Sequence, residues 1–364
     1  MLLGVFFGVV ACMIWGCVYI APLLLPNYDP AVLATCRYVV FGALSVGLGV
    51  AQLKDLRHYK WNDWWQAILL GVVGNIFYYW LLSEAVQHAG APIAGAFTAM
   101  IPILVAIIGN YQEKDRGNRV PWKALILPLT LIAIGMACLN GTEFLYLVGS
   151  GRVTSTEFWV GVVFAAGSLV VWTWYPLKNA AWLIKNPERS PKAWSSAQGI
   201  ALFPASLVLL AFFWYTTPAE TGGLLGQDPT KFLLICLFLG TVCSWLGIFF
   251  WNLMSLRLPP ALGGQMIIFE TIFAVVYAHI WRGQWPSLLM TVGMTILLVG
   301  IAFAMRVFQR AREAAKAEAA KEKALAAAPQ PLGNADDPMA PGTVSPAAAL
   351  DAMHQKHHPS SNMS

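Results

Sequence analysis

Residues 2–25 read LLGVFFGVVACMIWGCVYIAPLLL, a stretch without a single Lys, Arg, Asp or Glu. A transmembrane α-helix needs about 20 predominantly apolar residues, so this segment is long enough to cross a bilayer. Val9-Val10-Ala11-Cys12 has the look of a lipoprotein cleavage box. A cleaved signal, however, carries a basic n-region, and the first Lys or Arg here is Arg37. The expectation is therefore a retained span.

Working outward, nine further apolar runs follow, near 31–51, 64–85, 92–110, 121–140, 158–177, 195–215, 232–252, 261–281 and 286–307. Over the 364 residues, 58% are hydrophobic and only 11% charged, with a mean hydropathy of +0.61. A soluble domain carries about 25% charged residues. Soluble enzymes, nucleic-acid binders and secreted disulfide scaffolds are thus excluded in favour of a polytopic, all-α membrane protein. The net charge of +5 is no nucleic-acid footprint, because Lys and Arg sit between the apolar runs and in the tail. Cys12, Cys17, Cys36, Cys138, Cys236 and Cys243 all fall inside apolar runs, where cysteine acts as a small hydrophobe, and no CxxC occurs.

The basic residues orient the chain. With a cytoplasmic N-terminus, the inside connections hold Lys54, Arg57 and Lys60, then Lys114, Arg116, Arg119 and Lys123, then Lys178, Lys185, Arg189 and Lys192, then Arg257. The tail adds Arg306, Arg310, Arg312, Lys316, Lys321, Lys323 and Lys356, whereas the outside loops hold only Arg152, Lys231 and Arg282. Positive charge concentrates on cytoplasmic loops, so ten spans with both termini in the cytoplasm are expected. From residue 308 a cytoplasmic extension follows, helical while Ala, Glu, Lys and Arg dominate. Beyond Pro329 an Ala/Pro/Gly-rich tail lacks apolar periodicity and is expected to be disordered. His354, His357 and His358 lie in that tail with nothing around them to close a metal site, so no metal or other cofactor is expected.

The chain also repeats itself. Trp15 in Ala11-Cys12-Met13-Ile14-Trp15-Gly16 has a counterpart in Trp172 of Leu169-Val170-Val171-Trp172-Thr173. Pro30 precedes Arg37 by seven residues, as Pro191 precedes Gln198. Residues 94–103, AGAFTAMIPI, match 263–272, GGQMIIFETI, in character. Taken in this order, the elements resemble the EamA type of the drug/metabolite transporter superfamily. The resemblance covers about residues 1–308. It implies two homologous five-helix units, here 1–140 and 158–307, and export of a small metabolite, such as an amino acid, or a small drug. The chain departs from the pattern at Thr271, where the family often has proline after the glutamate. That departure removes the kink expected in the ninth span, while Pro102 retains one in the fourth. Because five is odd, consecutive five-helix units insert with opposite orientations, and inverted repeats place a substrate site near the bilayer midplane.

Three charged residues fall well inside the runs: Arg37, Glu84 and Glu270. A charge there costs about 2.5 kcal/mol or more, so each needs a partner, a wet cavity or neutralisation. Glu270 is near the middle of its run and shares a helical stripe with Gly263, Met266 and Phe273 or Ala274. It is a candidate to bind a cationic substrate group or a coupling proton, or else a packing glutamate held by hydrogen bonds. Arg37 and Glu84 lie at similar depth near the outer face and are candidates for an ion pair, structural or gating. Trp15, Tyr19, Asn75, Tyr78, Tyr79, Thr98, Trp172, Gln198 and Gln265 suit a cavity lining as well as packing, since buried Trp and Tyr need hydrogen-bond partners. Trp61, Trp64 and Trp65 read as interfacial belt residues.

No GxSxG, HExxH or P-loop is present, which argues against catalysis and against direct use of ATP. The expected function is secondary active or facilitative transport by alternating access in the inner membrane, driven by protons or by the substrate's own gradient. A polytopic membrane enzyme or scaffold is the competing class. Small molecules, protons and membrane lipids are the expected partners, and nucleic acid is not.

Overall fold

The prolines of the repeat open helices. The computed structural model describes residues 1–25, 27–89, 93–94, 97–98, 100–112, 120–149, 155–217, 223–283 and 285–327. In it Pro30, Pro191 and Pro229 each occupy a first helical position, where the missing N–H is no loss. Asp29, Ser190 and Asp228 cap those helices, accepting from the backbone N–H of Ala31 at 2.7 Å, Ala193 at 3.4 Å and Lys231 at 3.1 Å. Ser155 does the same for Phe158 N at 3.2 Å. Each cap satisfies a donor that a helix end would otherwise leave orphaned.

The long helices are α1 (Leu2–Gly16, prolonged by a 3-10 turn Cys17–Tyr19), α2 (Pro30–Ala51), α3 (Trp61–Ala89), α4 (Ile101–Gln112), α5 (Trp122–Gly149), α6 (Thr156–Lys185), α7 (Pro191–Thr216), α8 (Pro229–Ser255), α9 (Pro260–Arg282) and α10 (Leu288–Ala327). There is no strand among the described residues. Nine of these helices are long and apolar enough to cross a membrane, and α4 is a shorter apolar helix. The fourth expected span, 92–110, falls partly on residues 92, 95–96 and 99, outside the described residues. Pro102 sits in the first turn of α4, a position that removes no internal hydrogen bond. α9 runs unbroken through Thr271 and stops at Gly283, whose φ of 63° is left-handed, the conformation of a glycine C-cap.

Between 28% and 50% of each span window is buried. The remainder is an outer surface of residues such as Val163, Val170, Val208 and Leu234, as expected where lipid rather than water is the solvent. Inside, small residues let backbones approach. A Cβ on Gly240 of α8 would strike Val40 and the Arg37 carbonyl of α2, and one on Gly247 would strike the Trp15 indole of α1. In the other half of the sequence, a Cβ on Gly71 of α3 would press on the Gln198 carbonyl of α7, and one on Gly74 on Tyr175 of α6.

Two helices are underwound in matching places. Leu69–Phe77 within α3 and Leu239–Leu246 within α8 are π-helical, a geometry that frees carbonyls from the regular ladder. Each freed carbonyl is met by a side chain five residues on: Asn75 Nδ2 donates to Leu70 O at 3.0 Å and Ser244 Oγ to Leu239 O at 3.0 Å.

The chain divides into two units, Met1–Ala315 and Lys316–Ser364. The described residues of the second, 316–327, are the last part of α10. The expected disordered tail and its three histidines lie outside the described residues.

Candidate functional site

Glu270 meets Tyr19. The tyrosine hydroxyl, at the end of the 3-10 turn after α1, donates to Glu270 Oε1 on α9 at 3.0 Å. The other carboxyl oxygen, Oε2, is buried without a hydrogen-bond partner. The Arg37 guanidinium of α2 and the Tyr78 hydroxyl of α3 lie within electrostatic reach of this pair. So does the Cys12 thiol of α1, which itself donates to Met266 O at 3.1 Å. Tyr19 is nonetheless 47% exposed. Groups from four elements therefore converge on one carboxyl group beside a half-exposed tyrosine, with one carboxyl oxygen left over.

Arg37 is held by the π segment of α8. Its Nε donates to Ser244 Oγ at 2.9 Å, and its guanidinium lies 5.4 Å from the Tyr38 ring centroid. The serine that repairs the freed Leu239 carbonyl thus also fixes the cation.

Below this chamber stands an aromatic wall. Tyr78 stacks on Trp172 of α6 at 4.5 Å, and Trp172 stacks on Tyr175 at 5.1 Å. Trp15 approaches Trp172 at 6.5 Å and Trp251 of α8 at 5.1 Å, its indole N–H donating to Cys243 O at 2.9 Å. Beyond the wall the polar groups are closed on one another. Tyr175 OH donates to Gln198 Oε1 at 3.0 Å, and Gln198 Nε2 donates to Asn179 Oδ1 at 3.2 Å. The same Asn179 oxygen accepts from Trp194 Nε1 at 2.9 Å, while Asn179 Nδ2 donates to Asn252 Oδ1 at 2.8 Å. Asn252 Nδ2 then donates to Ser195 Oγ at 3.0 Å. Asn179, Gln198, Asn252 and Ser195 are all fully buried, so α6, α7 and α8 are tied by a satisfied, dry network.

Comparison with known proteins puts this architecture in context. The model of the EamA-like transporter family matches residues 2–140. The inner membrane protein YtfF of Escherichia coli (strain K12) is 31% identical over 309 residues, 84% of this chain and 96% of that protein. The chain belongs to the EamA-like transporter family. A solved crystal structure only 18% identical superposes with a TM-score of 0.66 over 84% of this chain and 98% of its own, which shows a shared fold. As an EamA-like transporter with nine long apolar helices among the described residues, the chain is a multi-pass protein of the inner membrane.

The remaining residues singled out from the sequence fall in several places of this transporter. Trp15, Tyr19, Trp172 and Glu270 line the chamber and its wall. Asn75 repairs the π segment of α3, and the Tyr38 hydroxyl points at its carbonyl at a long 3.5 Å. Tyr79 is half-buried near Arg37 and Tyr38. Thr98 donates to the Ala94 carbonyl at 2.8 Å. Gln198 is in the closed network rather than the chamber. Gln265 is fully buried on α9, and neither end of its amide has a partner.

One expectation is corrected. No ion pair joins Arg37 and Glu84. Glu84 instead accepts from Trp80 Nε1 at 3.1 Å and lies 3.5 Å from His88 Nε2. Both partners are one turn away on its own helix, so Glu84 faces along α3 while Arg37 faces α8. The residues that sequence reasoning missed are Ser244, Tyr175, Asn179, Trp194, Ser195, Trp251 and Asn252. The expected sixth run stopped at 177, so Asn179 lay just outside it, whereas α6 continues to Lys185.

Proposed function

We propose that the chain is a secondary transporter that exports a small metabolite, such as an amino acid, or a small drug. It works by alternating access around Glu270. The observation that carries this reading is the unpaired Glu270 Oε2 beside a half-exposed Tyr19. A buried polar atom without a partner costs about 1–3 kcal/mol, more when charged, and persists where a ligand is to be taken up. Oε2 is the acceptor for a cationic substrate group or a coupling proton. Tyr19 orients Oε1, and the Tyr78–Trp172 stack offers an aromatic floor.

The ten-span arrangement, with repeats 1–140 and 158–307 inverted and both termini cytoplasmic, belongs to the same reading. Its support is the doubled construction: proline-opened α2 and α7, π segments in α3 and α8, and Trp15 opposite Trp172. On this topology the chamber opens to the outer side and the Asn179–Asn252 network seals the inner side, as a carrier caught in one of its two states. Arg37, rather than pairing with Glu84, supplies positive charge to the chamber.

The test is flux in proteoliposomes, with labelled amino acids and cationic drugs, with and without a pH gradient. Gradient-driven flux of one class supports proton coupling at this site. Flux indifferent to the gradient removes the proton and leaves facilitated diffusion. Absence of flux for every member of the panel contradicts the assigned substrate classes.

A further inference from the structure

At the end of α2 away from Pro30, the connection to α3 meets the connection between α6 and α7, and four aromatic rings gather there. The Tyr59 ring lies 5.9 Å from Trp64, 6.1 Å from Trp182 and 6.2 Å from Trp194, and Trp182 stacks on Trp194 at 3.4 Å. Arg189 covers Tyr59 at 5.1 Å, donates from Nη2 to His58 O at 2.8 Å and stands 3.7 Å from Asp63. Of these residues, the function above uses only Trp194, through its bond to Asn179.

The cluster is unfinished in one particular way. The Tyr59 hydroxyl, Trp182 Nε1, Arg189 Nε and both ends of the Gln52 amide are buried with no hydrogen-bond partner. Gln52, Tyr59 and Trp182 are only 6%, 8% and 6% exposed. Burial, only partly offset by the Arg189 charge, pushes the Tyr59 hydroxyl above its usual range, so it keeps its proton and acts as a donor. Apart from Gln52 Oε1, every orphan group can donate. Arg189 Nε sits 3.6 Å from Glu188 Oε1, an ion-pair distance without a hydrogen bond.

The surroundings are positive. Lys54, Arg57, Lys60, Lys185 and Lys192 are exposed around the cluster, against exposed Asp55 and Glu188. Asp63 is buried and already occupied, accepting from Lys60 N at 2.8 Å and facing Arg189. Beside this face, Trp61 and Trp65 are 77% and 47% exposed one turn apart at the start of α3, the placement of side chains that sit at headgroup level.

We propose that this corner is a binding site for the phosphate of an anionic membrane-lipid headgroup. A phosphate diester presents acceptors and no donors, which complements a set of orphan donors. Charge-assisted bonds from Arg and Lys are about twice as strong as neutral ones. Basic pockets between helices at the membrane surface take anionic headgroups, and Trp61 and Trp65 would flank the glycerol and upper acyl region. A bound lipid would bridge the connection at 52–60 to that at 186–190.

The test uses the full chain in nanodiscs of phosphatidylcholine, phosphatidylcholine with phosphatidylglycerol, and phosphatidylcholine with added inorganic phosphate. Lipid retention is read by native mass spectrometry and stability by the melting temperature. Each surface base is worth roughly five-fold in attraction to an anionic surface. The triple variant Lys54→Gln/Arg57→Gln/Lys60→Gln should therefore retain phosphatidylglycerol at least about tenfold less than the wild type. It should also lose the rise in melting temperature that this lipid confers on the wild type. Tyr59→Phe, which keeps the ring and every charge, should weaken retention several-fold with a melting temperature in phosphatidylcholine alone that does not fall. Equal retention by wild type and triple variant overturns the proposal. So does an equal loss in Arg306→Gln/Arg310→Gln, which would reveal a charge effect without a site. A melting-temperature rise reproduced by inorganic phosphate alone would overturn the lipid assignment in favour of a free-anion site.

Discussion

The chamber around Glu270 and the network around Asn179 are built from similar residues and finished differently. In the network each side-chain donor of Asn179, Gln198 and Asn252 has a partner, and these residues are fully buried. On α9, Glu270 Oε2 and both ends of the Gln265 amide have none, and the Tyr19 that meets Glu270 is half-exposed. A satisfied polar network in a low-dielectric interior rigidifies. Unsatisfied groups store free energy that a ligand or a second conformation can release. The two regions divide labour, one holding helices together and the other reserving contacts for something absent from the fold itself.

This contrast can be broken most strongly at Asn179. Asn179→Leu strands Trp194 Nε1, Gln198 Nε2 and Asn252 Oδ1 together. The expected loss is about 2–4 kcal/mol, allowing for the modest worth of individual interhelical hydrogen bonds in membranes. It is measured by denaturant unfolding in detergent or bicelles. A loss within a few tenths of a kcal/mol would show that the network is ornamental.

Gln265→Leu should act in the opposite direction. It removes two unpaired buried polar atoms at nearly constant volume, so stability should rise by about 1–3 kcal/mol, with flux falling if Gln265 meets the substrate in the alternate state. Destabilisation would mean that Gln265 is already partnered and that the two regions are less different than described. Tyr19→Phe is the mildest change. The residue is half-exposed and its hydroxyl makes one hydrogen bond, so the expected stability change is below about 1 kcal/mol, while the substrate concentration giving half-maximal flux should shift. An unaltered flux curve would remove Tyr19 from the chamber's function.

Much of the scaffold was readable because its signals are local. Pro30 and Pro191 begin helices by the same backbone argument wherever they occur, and long uncharged runs have few alternatives to membrane spans. Glu270 also stood out, being the one acidic residue near the centre of a run. Contacts between helices were another matter. Arg37 and Glu84 were matched by depth alone, yet helix rotation decides which side chains meet, and the π segment of α8 turns Ser244 towards Arg37. Neither π segment leaves a mark in apolar periodicity. Asn179 was missed because the sixth run was closed at 177, two residues short of it, and Asn252 because it is the last residue of its own run. The shorter α4 shows the same limit, since an apolar stretch from 92 to 110 does not reveal where regular helix begins.

The central claim is that Glu270 is the working group of the chamber and not a packing residue. The direct measurement compares wild type and Glu270→Gln, matched for amount and melting temperature, for flux of the same labelled substrate in proteoliposomes. Glutamine keeps the size and can still accept from Tyr19, but it carries no negative charge and takes up no proton. The account predicts that flux falls to the level of empty liposomes while the melting temperature stays within a few degrees. Flux retained at the wild-type rate would contradict it and return Glu270 to the packing of α9 against α1.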